Sequence, residues 1–189
     1  MAVNERHHID AVLEVAIAAL SAPPGADPVH TVLPALRASV GADAAGYYEH
    51  VPHGWTTTVH VSPDEIWSKL PFTRARTQEA ARVHPGIGHL MATTSAAPFA
   101  VTDVVSERAW RNSELGTLMW PDWGRNHQLL IPVPVPAYDH SRKVWVLGRF
   151  DRNFTDRDRD LCTRLQQYSW WSRGVTARLD LAPDPHCSD

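Results

Sequence analysis

The sequence predicts an α/β fold of the α+β kind, an antiparallel sheet flanked by helices and closed by a long C-terminal helix. Three observations carry this. Helical and strand-like stretches follow one another in the order ααββ(α)βαββα, which suits an antiparallel sheet with helices packed on it. Between Arg142 and Arg149, Val144, Val146 and Gly148 alternate with Lys143, Trp145 and Leu147, the pattern of a pleated, half-buried surface. From Thr155, an N-cap followed by Asp156 and Asp158, the residues Leu161, Leu165, Tyr168, Ser172, Val175 and Leu179 recur at steps of four and three, the spacing of one helix face.

Taken in order, residues 5–20 place Ile9, Leu13, Ala16, Ile17 and Leu20 on one face, an amphipathic helix that stops at the Pro23-Pro24-Gly25 turn. A second helix is expected over 28–40, with Asp27 as N-cap, Pro28 at the first helical position and Gly41 closing it, and with Pro34 as a kink. Residues 44–51 and 55–61 read as a hairpin about Pro52-His53-Gly54. Short helices are expected over 64–70 and 77–83, before the run from His84 to His89 interrupts any regular pattern. Residues 98–105 read as a strand, and Ser106 opens a helix to about Met119. The next strand covers 126–135. Its prolines, Pro132, Pro134 and Pro136, share one register and suggest an edge or exposed stretch.

At 189 residues, 43% of them hydrophobic and 21% charged, the chain is long enough to bury one good core, so a single domain over 1–181 with a flexible tail over 182–189 is expected. Lys and Arg number 18 against 21 Asp and Glu, which leaves no excess of positive charge to follow a phosphate backbone and argues against direct nucleic-acid binding. No stretch reaches the length of a membrane span and the N-terminus lacks a signal-peptide pattern, so a cytoplasmic location is expected. Two cysteines make no disulfide framework, and Cys162, beside an apolar helix face, reads as a buried structural thiol.

The string from Leu147 to Gln166, with its Phe-Thr-Asp-Arg-Asp-Arg-Asp-Leu-Cys core, resembles the end of the GAF-like sensory domain that precedes the helix-turn-helix in LuxR-type regulators of actinobacteria. His84-Pro85, Val101-Thr102-Asp103-Val104 and the run from Gly124 to Pro132 fit the same family in order and spacing, so the resemblance covers about 43–179. It implies a GAF-like fold and a small-molecule pocket between the sheet and the segments crossing it. In that family a DNA-binding helix-turn-helix follows the long helix, whereas this sequence runs to LAPDPHCSD, so a regulator domain without its own DNA-binding half is expected.

The chain carries 8 Trp and 11 His, and these are the residues that would give a pocket its character. Trp110, Trp120 and Trp123 gather just before His127 and Gln128, and Trp120 and Trp123 with the segment holding His84 and His89 make a wall suited to an aromatic or otherwise flat ligand. Trp55, Trp67, Trp110 and Trp145 read more as core than as pocket wall. Arg149 is a further ligand candidate, through its bidentate fork, although a structural ion pair with Asp151 or Asp103 is the plainer reading. The ligand-binding set is therefore His84, His89, Trp120, Trp123, His127, Gln128 and Arg149. No histidine spacing matches a metal motif, so no metal is assigned. Haem stays a candidate cofactor, since one axial His in an aromatic cavity suffices, with His84, His89 or His127 as ligand.

No nucleophile elbow, P-loop or dinucleotide fingerprint is present, and no catalytic residue can be named. The leading reading is a ligand-binding sensory module, with Leu161, Leu165, Tyr168, Val175 and Leu179 of the C-terminal helix either pairing with a second copy in a homodimer or packing on the domain itself. The alternative is a small biosynthetic or degradative enzyme that reuses the same pocket, with histidine acid/base groups, haem or a metal.

Overall fold

The computed structural model describes residues 2–23, 29–50, 59–62, 82–116, 127–135 and 141–167. The elements are α1 (Ala2–Leu20), α2 (Val29–Val40), β1 (Ala44–His50), β2 (Val59–Ser62), α3 (Pro85–Ala92), β3 (Phe99–Ala100), α4 (Val101–Val104), α5 (Glu107–Arg111), β4 (His127–Val133), β5 (Arg142–Arg149) and α6 (Asp156–Gln167). The strands form one antiparallel sheet in the order β2-β1-β5-β4-β3. The expected helix over 64–70 and residues 77–81 of the next one lie outside the described residues, as do the hairpin turn and everything after Gln167; residues 82–83 are helical.

Strand alternation sends the two sides of the sheet into two cores. Ala45, Leu129, Ile131, Val133, Trp145 and Leu147 pack under the helical layer, against Ala11 and Val15 of α1, Leu33 and Leu36 of α2, and Leu161, Cys162 and Leu165 of α6. Leu130 and Val144, flanked by Tyr48 and Val146, face the other way. There they meet Ile87 and Leu90 of α3, Phe99, Val101, Trp110 and Leu115.

The helical layer is fixed at its ends. Gly41, at φ 65°, takes the left-handed conformation that closes α2, and the Ala42 N–H returns 2.9 Å to Arg37 O. α2 runs through Pro34 without a break. At the start of α6 the Thr155 hydroxyl accepts from Asp158 N–H at 3.3 Å while the Asp158 carboxylate accepts from Thr155 N–H at 2.7 Å, a reciprocal cap.

Five local expectations are corrected. In α1 the residues turned inward are His8, Ala11 and Val15, whereas Ile9, Leu13, Ile17 and Leu20 are 54–69% exposed. From Ala11 to Leu20 the helix carries one polar residue, Glu14, so periodicity there offers two faces, and packing against α2 and α6 selects the one with smaller side chains. The run from His84 to His89 enters a helix, α3, instead of breaking the pattern. The strand expected over 98–105 shrinks to Phe99–Ala100, because the Asp103 carboxylate captures Ala100 N–H at 2.8 Å and turns the chain into α4. The helix opened by Ser106 is interrupted after Arg111, where Ser113 Oγ donates to Trp110 O at 2.7 Å and accepts from Gly116 N–H at 2.9 Å; residues 114–116 are helical again, and 117–119 lie outside the described residues. Finally, β4 lies inside the sheet and is no edge strand. Pro132 is tolerated there because β3 reaches only to Leu130, and the Pro132 carbonyl accepts from Gln166 Nε2 instead of from a neighbouring strand.

Candidate functional site

The site grows out of the start of α3. His84 stands at its N-cap in an extended conformation, φ −72° and ψ 117°, and Pro85 follows at a position whose missing N–H needs no partner. The ring Nδ1 accepts from Gly86 N–H at 3.0 Å and from Ile87 N–H at 3.3 Å. A side chain at Gly86 would bring its Cβ within 2.9 Å of both Leu130 methyls, so the glycine is what lets α3 settle directly on β4.

That close approach carries the other ring nitrogen to the sheet. His84 Nε2 lies 2.6 Å from Gln128 Oε1. Because Nδ1 is used as an acceptor, the neutral ring bears its proton on Nε2 and donates it to Gln128. The Trp110 ring sits 5.3 Å from the imidazole, inclined at 54°. Both members of the pair are buried, His84 at 9% exposure and Gln128 at 5%.

Burial pushes the His84 imidazole down to about 4; the Gln128 hydrogen bond opposes this, and His50 nearby adds to it. His50 is itself lowered by burial. Tyr48 as a whole is half-buried, yet its hydroxyl is enclosed enough that burial pushes it up to about 12. Of the polar groups on this side of the sheet, Tyr48, His50 and His84 are thus uncharged near neutral pH. Arg142 lies opposite His50, at the far end of the same face.

Gln128 is aimed here by strand alternation. It shares a face with Leu130, while its neighbour His127 shares the opposite face with Leu129. Opposite Gln128 stands Gly148, and opposite Gly148 on the next strand stands Ala44, so the floor beside the amide is made of small residues. Gly46 continues it, since a Cβ there would meet the Tyr48 ring at 2.8 Å.

The structure therefore brings together His84 and Gln128. His89, in the last turn of α3, rests its ring edge-on against Phe99 at 4.8 Å. His127 and Arg149 are paired in register on the opposite face. Arg149, 3% exposed, forks onto Asp158 at 2.8 and 2.9 Å, donates to Val40 O and Gly41 O, and lies 4.4 Å from the centre of the Phe154 ring. The ion pair is structural, as the plainer reading had it, but the partner is Asp158; Asp103 pairs with Arg159. Trp120 and Trp123 lie outside the described residues. Three neighbours were missed as site residues. Tyr48 and His50 alternate with Gly46 on β1, a signal present in the sequence, and Trp110 belongs to the expected tryptophan cluster but reads more as core than as pocket wall.

Cys162 is fully buried and burial raises its thiol, so it is no nucleophile. Among the described residues no group of three or more His, Cys, Asp or Glu side chains is placed to hold a metal ion. No described helix is long and apolar enough to cross a membrane.

Neither a protein-family model nor a curated protein sequence matches the chain. Solved structures do. The ligand-binding domain of VqsR from Pseudomonas aeruginosa superposes with a TM-score of 0.62 at 12% identity, covering 92% of this chain and 96% of that one. CepR2 from Burkholderia cenocepacia, described as an N-acylhomoserine lactone dependent LuxR family transcription factor, superposes with a TM-score of 0.61 at 12% identity, covering 92% and 98%. At that identity the likeness is one of fold: this chain has the mixed α/β architecture of LuxR-type ligand-binding domains.

Proposed function

We propose that this chain is a small-molecule-binding regulatory domain, with its ligand held between the sheet and the segment that runs from α3 to α5. The observation that carries the reading is the buried His84–Gln128 pair, set among Leu130, Val144, Ile87 and Trp110 on the side of the sheet away from the helical layer. Apolar walls with a few fixed polar groups are the ordinary makeup of such sites. The shared fold of the two LuxR-type domains supports the reading. Trp110 and Phe99 give the walls aromatic surface, which supports a flat or aromatic ligand; Trp120 and Trp123 would extend it.

The test is ligand titration followed by methyl NMR, with N-octanoyl homoserine lactone and a set of bicyclic aromatics as probes. Binding should move Leu130, Val144 and Val146 signals and leave Val15 and Leu36, in the helical layer, in place. Shifts confined to the helical layer, or no shift with any probe, would overturn the proposal.

Self-association through the C-terminal helix belongs to the same proposal. Leu161 and Leu165 of α6 are already consumed inside the domain. Pairing of two copies would therefore fall to Tyr168, Val175 and Leu179, which lie outside the described residues. Sedimentation velocity on Val175→Glu and Leu179→Glu, against the unmodified chain, tests it: an unmodified chain that stays monomeric at high concentration sinks the idea.

A further inference from the structure

The buried polar pair has a direction, and the backbone sets it. Gly86 and Ile87 present their N–H groups to Nδ1 of His84, so that nitrogen can only accept. Nε2 then holds the proton, and at 2.6 Å the atom that receives it must be an oxygen. This fixes the side-chain amide of Gln128 with Oε1 toward His84 and its NH2 turned away. Which way a glutamine amide points is often ambiguous, but here two main-chain donors decide it.

The NH2 so displayed has two donor hydrogens and, among the described residues, no acceptor for either. Gln128 is nevertheless only 5% exposed. Its Nε2 is not wholly enclosed, so the two donors stand at an opening where an acceptor from outside the chain can meet them. Beside it the floor is Gly148 and Ala44, so no bulky side chain on the neighbouring strands occupies the space.

We infer that the Gln128 NH2 is the recognition group of the ligand chamber, a donor that selects an uncharged ligand bearing a carbonyl-type acceptor. This deepens the reading of that face as a ligand chamber and rests on it. His84 acts as a positioning residue: it touches no ligand and holds the amide in the one orientation that shows its donors. An anionic acceptor is disfavoured because Tyr48, His50, His84 and Gln128 bring no positive charge to offset its loss of water, and Arg142 stands at the far end of β5, six residues from the Gly148 that faces Gln128.

The experiment compares acetophenone with 2-phenylpropene, which replaces the ketone oxygen by a methylene of similar size, and with benzoate. Binding is read from the Leu130 and Val146 methyls and the Gln128 side-chain NH2 signals of the whole chain. The ketone is expected to bind about tenfold more tightly than the alkene, the difference one neutral hydrogen bond makes, and to shift the Gln128 NH2. Benzoate should bind no better than the alkene. Gln128→Met should erase the preference, leaving ketone and alkene alike. His84→Asn keeps a capping side chain but not the reach to Gln128, so it should shrink the ketone-to-alkene ratio, whereas a purely structural role would lower both affinities together.

Equal binding of ketone and alkene, with the face signals moving for both, overturns this inference and leaves the chamber standing. Tightest binding by benzoate overturns it as well. Face signals that move for neither probe overturn the chamber and the inference together. Should Gln128→Met fail to fold, the wild-type ratio decides alone.

Discussion

His84 Nε2 and Gln128 Oε1, 44 residues apart in sequence, meet at 2.6 Å and join the first turn of α3 to the interior strand β4. One side chain thereby serves as helix cap and as sheet contact. The same ring that satisfies Gly86 and Ile87 N–H sets the orientation of a buried amide, so local structure and the candidate site share a single residue.

Removing that ring should cost more than a cap. His84→Ala leaves Gly86 and Ile87 N–H without their acceptor and strips the partner from buried Gln128. Losing a cap costs about 0.5–2 kcal/mol and stranding a buried polar group about 1–3 kcal/mol, so a loss of about 2–4 kcal/mol is expected. His84→Asn, which restores the cap alone, should recover about 1 kcal/mol of this. Urea unfolding followed by circular dichroism checks both. Equal losses for the two variants would show that capping contributes nothing here.

Acid sensitivity follows from the same burial. His84 is pushed down to about 4 and His50 is also lowered, so the unfolded chain takes up protons near its ordinary value of 6.5 while the folded chain does not. The stability this represents is whole above 6.5, declines as pH falls through that value, and levels off for His84 below about 4. Unfolding free energies measured from pH 7.5 to 4.5 should therefore fall, and the fall should be shallower in His84→Asn. A profile unchanged by that substitution would place the titration elsewhere.

Much of this arrangement was legible in the residues. Alternation in Arg142–Arg149 and the cap at Thr155 were correctly placed, since strand pleat and helix capping are short-range physics that a sequence displays directly. His84 and Gln128 were singled out as well, although His127 was grouped with Gln128 when a pleated strand must send neighbours to opposite faces. The failures are tertiary. Glycines at 86 and 88 read as helix breakers until Leu130 is seen lying where a Cβ of Gly86 would go. Asp103 reads as part of a strand until Ala100 N–H and Arg159 are found holding its carboxylate.

Arg149 should prove to be a structural keystone whose loss is felt in folding. Its guanidinium is almost fully buried and binds the Asp158 carboxylate with both arms, and burial, which alone would raise that carboxyl, is outweighed by the Arg149 and Thr155 hydrogen bonds that hold it below the usual carboxylate range. Arg149→Leu leaves Asp158 and the Val40 and Gly41 carbonyls without their donor, so a loss of about 3–5 kcal/mol is expected. The exposed Glu107–Arg111 pair of α5 offers the contrast, and Glu107→Ala should cost no more than about 0.5 kcal/mol. Since a depressed carboxyl stabilises only where it is ionised, the Arg149 contribution is complete at neutral pH and disappears as pH falls below the carboxylate range. Chemical denaturation of both variants at pH 7 and pH 3 tests the claim, which fails if Arg149→Leu is as mild as Glu107→Ala.

The two faces of α1 give the sharpest check on how the helical layer is assembled. If Ile9, Leu13, Ile17 and Leu20 formed the buried face, Leu13→Gln would open a cavity and strand an amide in it. The structure instead leaves Leu13 56% exposed and buries Val15 completely against α2 and α6. Leu13→Gln should then lie within about 0.5 kcal/mol of the unmodified chain, as exposed substitutions do. Val15→Ala, which removes only two methyl groups, should cost about 1–3 kcal/mol through lost burial and the cavity left behind. Leu36→Ala, on the α2 side of the same contact, should cost about 2–5 kcal/mol. Thermal and urea unfolding of the three variants would reverse the assignment of the faces if Leu13→Gln proved the most damaging, because a small side chain at the true interface cannot matter less than a large one that points into water.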